Sequence, residues 1–169
     1  MKNSLSEKFA AFLASGFFLS HPVYEFRKGA RATMLTGCGL VGSIEAVGFW
    51  LVLPPMTKTS GALLAAAVAL ISVGVARAAE SYYDKKDDPR IVIDEFAGCL
   101  AAAVLVPKEF YCLAAVFVLF RVFDVVKPLG IRRLESLPQG WGCVLDDLAS
   151  GILAGLLVLA ASRLIGARV

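Results

Sequence analysis

Two acidic doublets, Asp94-Glu95 and Asp146-Asp147, each open an apolar run, IVIDEFAGCLAAAVLV and VLDDLASGILAGLLVL. Between them lies FRVFDVVKP, where Arg121, Asp124 and Lys127 fall at i, i+3 and i+6, near neighbours along a helix that Pro128 ends. An ionised carboxylate is expensive in hydrocarbon, so acids set in apolar runs read first as functional. Clustered carboxylates repel unless they are protonated or hold a cation. Oxygen-only ligands suit a hard ion, Mg²⁺ before Ca²⁺. A divalent ion with Arg and Lys beside it can grip a phosphate and stabilise the charge developing on it. Each element also has a plainer reading. Acids near a helix N-terminus suit its dipole. Gly98, Gly151 and the alanines around them let membrane helices pack closely. Arg121 and Asp124 can form an ion pair while Lys127 snorkels to the interface. Those readings explain the elements singly, but not three of them sharing one face.

The elements that must position these groups are apolar. The 169-residue chain is 58% hydrophobic and 18% charged, with a mean hydropathy of +0.73. Soluble domains run at about 25% charged and 45–50% apolar, so a bilayer is the medium that this much apolar surface fits. Five apolar stretches stand out, at about 33–53, 61–79, 91–106, 110–126 and 145–165. Crossing the hydrocarbon takes about 17–25 helical residues, which the first, second and fifth supply. The third and fourth are shorter and read as a helical hairpin turning at Pro107-Lys108-Glu109. The segments 80–90 and 127–144 read as polar loops. The expected fold is all-α: a polytopic helical membrane protein with about four to five membrane-embedded helices in one bundle. It forms a single domain, 1–169, whose residues 1–32 are a basic, membrane-proximal segment. The first residues resemble a signal peptide weakly, but Glu7 interrupts a short apolar run and no clear cleavage site follows.

Charge orients the bundle. With a cytosolic N-terminus and five crossings, cytosolic segments hold twelve of the 17 Lys and Arg, the opposite side holds four, and Arg121 lies within a span. This positive-inside bias places Asp87, Asp94, Glu95, Asp124, Lys127, Asp146 and Asp147 together at the cytosolic level. The natural phosphate bearer there is a lipid head group. Phosphoryl chemistry on a lipid is therefore the first reading, and a proton or cation transporter the second. A transporter needs acids through the membrane depth, and apart from Glu45 the acids lie at one face. Glu45 reads as an interhelical hydrogen-bonding group.

Other chemistries fall away. A net charge of +3 with no basic stripe interleaved with aromatics argues against nucleic acid. Cys38, Cys99, Cys112 and Cys143 form no C-x-x-C pair and His21 is the sole histidine, which disfavours a Cys/His metal site. A cysteine phosphatase needs C-x5-R, but Ile44, Leu105, Val118 and Ala149 stand at the arginine positions. No D-x-D-x-[TV] string supports an aspartyl-phosphate enzyme. The D-G-x2-A-R…G-x3-D-x3-D string of CDP-alcohol phosphotransferases is absent too.

The ordered set Asp87, Ile91-Val92-Ile93-Asp94-Glu95 with Gly98, Phe120-Arg121 with Asp124, Lys127-Pro128 with Ile131-Arg132, Gly140 and Gly142, then Asp146-Asp147 with Gly151 resembles the phosphatidylglycerophosphatase A family in order and spacing. The resemblance implies release of the terminal phosphate of phosphatidylglycerophosphate, giving phosphatidylglycerol. It also implies Mg²⁺ as cofactor and the bacterial cytoplasmic membrane as location, with phospholipid and membrane lipids as partners. On this reading Asp94, Glu95, Asp124 and Asp147 ligate metal or activate water. Asp87 and Asp146 support the metal, directly or through water. Arg121 and Lys127 hold the phosphate, with Arg132 helping. The N-terminal part departs from the family's G-F-x-x-G-x-x-P…PGT-x-GS element: the PGT core is missing, while Gly16-Phe17, Thr36-Gly37-Cys38-Gly39 and Gly42-Ser43 remain. A degenerate, structural member of the family is the alternative that this departure raises.

Overall fold

The computed structural model describes residues 4–27 and 37–166. Lys2, Lys28, Arg31, Thr36 and Arg168, which enter the charge and motif readings, lie outside the described residues. Within them all regular structure is helical: α1 (Leu5–Ala14), α2 (Ser20–Arg27), α3 (Cys38–Val52), α4 (Lys58–Tyr83), α5 (Ile93–Leu105), α6 (Phe110–Val126), a 3₁₀ segment (Pro128–Ser136) and α7 (Trp141–Leu164).

Two of these, α4 with 26 residues and α7 with 24, are long and apolar enough to cross a membrane, with mean hydropathies of 2.1 and 1.9. Against the expected four to five embedded helices, α3 is apolar but only 15 residues long, and α5 and α6 have 13 and 17 residues and carry charge. Local chemistry sets the ends. Thr57 caps α4 by accepting from the Ser60 amide, and Asp84 ends it in the left-handed region. Lys127 ends α6 in the same way, and Pro128 then starts the 3₁₀ segment, which is broken at Leu129 and Gly130 by positive φ.

Helix α5 sits centrally, packed on α7, α3, α4 and α6. Its Ala97, Ala102 and Ala103 are fully buried, so neighbouring backbones approach closely. The tightest approach is Gly98 to Gly151: a Cβ on Gly151 would strike the Gly98 carbonyl. Small residues at helix crossings are how helices pack where lipid removes the usual hydrophobic drive. Large apolar side chains, among them Leu63, Leu70, Ile71, Val118 and Leu156, face outward instead.

The loop between α4 and α5 is pinned by an ion pair of the buried Asp88 with the half-buried Arg90. Asp88 accepts from Arg90 Nε at 2.7 Å and Nη2 at 3.0 Å, and the guanidinium lies 3.9 Å from the centre of the Tyr83 ring. Burial pushes the Asp88 carboxyl up, but the hydrogen bonds and charge of Arg90 outweigh it and hold the group below its usual value. Arg90→Ala strands that carboxylate. The expected loss is about 1–3 kcal/mol, read as a lower melting temperature in detergent.

Candidate active site

Asp94 and Glu95 occupy the first turn of α5, and Asp147 the second turn of α7. Each acid stands one turn ahead of a glycine at the α5–α7 contact: Asp94 before Gly98, Asp147 before Gly151. The helices therefore meet backbone to backbone just below the acids. One oxygen each from Asp94, Glu95 and Asp147 lies within 4.8 Å of the others. Asp94 and Asp147 are 5% and 4% exposed, so the cluster is nearly closed to solvent. The first turn of α3 bounds it as well: a Cβ on Gly39 would meet Glu95 Oε1 and the Arg121 guanidinium.

The acids open onto a cavity of about 280 Å³. Seven carboxylates line it, those of Asp87, Asp94, Glu95, Asp124, Glu135, Asp146 and Asp147, against two cations, Arg121 and Lys127. Arg121 Nη1 stands 2.9 Å from Asp124 Oδ2 and 3.8 Å from Glu95 Oε1, yet it is out of line for a hydrogen bond and has a donor to spare. Lys127 Nζ donates to Asp146 Oδ2 and pairs with Glu135 Oε1 at 2.8 Å. Burial works against the lysine's charge, but its hydrogen bonds to Asp146 and Glu135 win and raise its pKa. Asp87 is exposed at the rim, yet desolvation along the crowded cavity wall pushes its carboxyl up, against the pull of Lys127.

The residues singled out in the sequence thus divide by position. Asp94, Glu95 and Asp147 converge. Asp124 and Asp146 line the same cavity, each beside a cation, and Asp87 lines it from the α4–α5 loop. Arg132 is exposed and is not part of the lining. Glu135 was not singled out, yet it lines the cavity and grips Lys127. Its backbone carbonyl also accepts from Lys86 Nζ at 2.9 Å, which ties the 3₁₀ segment to the α4–α5 loop. The fold of that segment brings Glu135 back to Lys127, and no spacing rule announces it.

The donor set fits a hard divalent cation. Three carboxylates converge with oxygen ligands only. Glu95 Oε2 and Asp146 Oδ1 are buried with no hydrogen-bond partner, a costly state that a cation would relieve. With a spare Arg121 donor alongside, the arrangement can hold an anionic oxygen next to a metal.

Comparison with known proteins points to lipid phosphate esters. The family model described as phosphatidylglycerophosphatase A matches residues 26–162. A Bacteroides thetaiotaomicron protein, provisionally named a phosphatidylinositol-3-phosphatase, is 32% identical over 136 residues, covering 76% of this chain and 85% of its own length. Phosphatidylglycerophosphatase A of Escherichia coli is 34% identical over 125 residues, 70% of this chain and 71% of that protein. The Haemophilus influenzae protein of the same name is 38% identical over 76 residues, 44% of this chain and 47% of that protein. No solved structure matches. Every carboxylate and both cations of the cavity fall inside the matched span, and the chain belongs to the phosphatidylglycerophosphatase A family of phosphoric monoester hydrolases.

Proposed function

We propose that this protein is a Mg²⁺-dependent phosphatidylglycerophosphate phosphatase of phospholipid biosynthesis. It is a multi-pass protein of the bacterial cytoplasmic membrane, with α3, α5 and α6 embedded beside α4 and α7 and the site facing the cytosol. The observation that carries the reading is the meeting of Asp94, Glu95 and Asp147 within 4.8 Å, beside a guanidinium with a donor to spare. Asp94, Glu95 and Asp147 would hold the ion, with Asp124, Asp146 and Asp87 in support. When bound, Mg²⁺ would supply Lewis acidity and lower the pKa of a ligated water. Arg121 Nη1 binds a phosphate oxygen and orients the phosphorus. Lys127 holds Asp146 and Glu135 in place and adds positive charge at the cavity wall. A carboxylate of the cluster takes the proton as water attacks phosphorus. As the bond from phosphorus to the lipid oxygen breaks, that carboxylate passes the proton to the departing oxygen, so the lipid leaves as its alcohol while its acyl chains stay in the bilayer.

The Bacteroides relative supports a second reading of the substrate, a 3-phosphorylated inositol lipid. Both substrates are lipid-borne phosphate monoesters and differ in the alcohol that leaves. Phosphate release from each, measured in mixed micelles with and without EDTA, tests both readings. The expected result is release from phosphatidylglycerophosphate that EDTA stops and Mg²⁺ restores. Release from the inositol lipid alone would favour the second reading. Release indifferent to EDTA would reject the metal.

A further inference from the structure

Lys127 stands between two acids that differ in their access to water. Its Nζ donates to Asp146 Oδ2 and pairs with Glu135 Oε1 at 2.8 Å. The Asp146 side chain is 2% exposed and the Glu135 side chain 35%. One partner is closed off from solvent, and the other sits at the rim of the cavity. The second oxygen of Asp146, Oδ1, is buried with no hydrogen-bond partner.

The rim partner is placed by its backbone. Positive φ at Lys127, Leu129 and Gly130 turns the chain back on itself after α6. Glu135 O then accepts from Lys86 Nζ at 2.9 Å in the α4–α5 loop. It also abuts the first turn of α7, where a Cβ on Gly142 would stand 2.8 Å from it. Neither contact uses the Glu135 carboxylate. Among the described residues the ion pair of that carboxylate is with Lys127 alone.

An ammonium has three rotatable donors on a flexible stem, so it can pass from one acceptor to another without losing its charge. A divalent cation among the neighbouring acids repels it. If Asp146 were the lysine's sole partner, a cation entering the cluster would leave the ammonium nearly buried and unpaired, which is costly. Glu135 offers it a second position, nearer to water.

We propose that Glu135 is a positioning residue that takes the Lys127 ammonium over from Asp146 when a divalent cation occupies the cluster of Asp94, Glu95 and Asp147. Both Asp146 oxygens are then available to the cation, and Lys127, held at the rim, keeps a donor for the incoming phosphate. The proposal rests on the reading of the cavity as a divalent-cation site.

Mg²⁺ binding to the full chain in nanodiscs, measured by isothermal titration calorimetry, tests this in a double-mutant cycle of Glu135→Gln and Lys127→Gln. Glutamine at 135 keeps an acceptor oxygen but loses the charge that draws the ammonium outward. Glutamine at 127 can still donate to Asp146 but carries no charge to be moved, and Lys127→Met serves if that variant does not fold. Glu135→Gln alone is expected to weaken Mg²⁺ binding about tenfold, within the range of couplings between contacting charged groups. Added to the Lys127 variant, it is expected to change binding by less than about twofold. Equal weakening in both backgrounds would show that Glu135 acts by its charge alone and would overturn the proposal. A lower melting temperature with unchanged Mg²⁺ binding in Glu135→Gln would overturn it too, because a pair that merely pins the 3₁₀ segment behaves in that way. Absence of Mg²⁺ binding to the unsubstituted protein would overturn the cation reading and the proposal with it.

Discussion

Asp94→Asn is expected to cut Mg²⁺-dependent phosphate release by at least about 100-fold while leaving the protein folded in the membrane. The substitution preserves volume, and an amide oxygen can still accept the Glu95 N–H that Asp94 Oδ1 accepts at 3.1 Å. What disappears is one negative charge from a cluster in which Glu95 and Asp147 crowd within 4.8 Å. Loss of a ligand charge weakens cation binding, and the same loss relieves repulsion among the remaining acids. The melting temperature measured without divalent ions is therefore expected to hold or rise as activity falls. A residue with a purely structural role would lose stability and activity together. Undiminished phosphate release would remove Asp94 from the site.

Gly151→Ala attacks the same site from below. The added methyl group points at the Gly98 carbonyl and would stand 3.2 Å from its Cα, and both are backbone atoms that cannot swing aside. Overpacking of this kind costs about 1–3 kcal/mol. Because Asp147 and Asp94 stand one turn from the contact on either helix, prying α5 from α7 also spreads the carboxylates. A misplacement of about 1 Å at reacting groups can cost roughly 100-fold in rate. The expected result is a lower melting temperature, a comparable fall in rate, and a higher Mg²⁺ concentration for half-maximal activity. Wild-type behaviour in all three measurements would show that the crossing does not set the width of the site.

Much of this arrangement was legible in the residues, for identifiable reasons. Asp94-Glu95 and Asp146-Asp147 announced themselves because acids are rare in apolar runs; the first doublet opens α5, whereas the second, expected to open its helix, lies a turn inside α7. The stretches 33–53, 61–79, 91–106, 110–126 and 145–165 correspond to α3 to α7, with ends displaced by up to five residues. Helix α4 continues through Ala78–Tyr83 because Ala76 and Ala79 pack beneath α1, a tertiary contact that overrides the polar character of the segment. Helix α7 starts at Trp141, inside a segment read as loop, because Gly140 lets its first turn meet the α4 backbone at Val73 and Arg77. Glu135 was illegible because a 3₁₀ segment broken at Leu129 and Gly130 returns it to Lys127. Helices α1 and α2 were hidden by their mixed polarity, since their order comes from small buried alanines and from bonds to Arg90 and Val92.

The lining of the cavity has a consequence for substrate choice. Seven acids stand against two bases around about 280 Å³, so the lining is net negative wherever more than two of the acids are ionised. A soluble phosphomonoester drifting in from the cytosol climbs that potential and is turned away within a Debye length, about 8 Å at physiological salt. A lipid cannot drift away in the same manner: its tails keep its head group beside the opening at a high local concentration until a cation has settled in the cavity. On the proposed function, preference for membrane-borne over free phosphate esters then requires no pocket shaped to the acyl chains. Repulsion and tethering, acting together, discriminate between them.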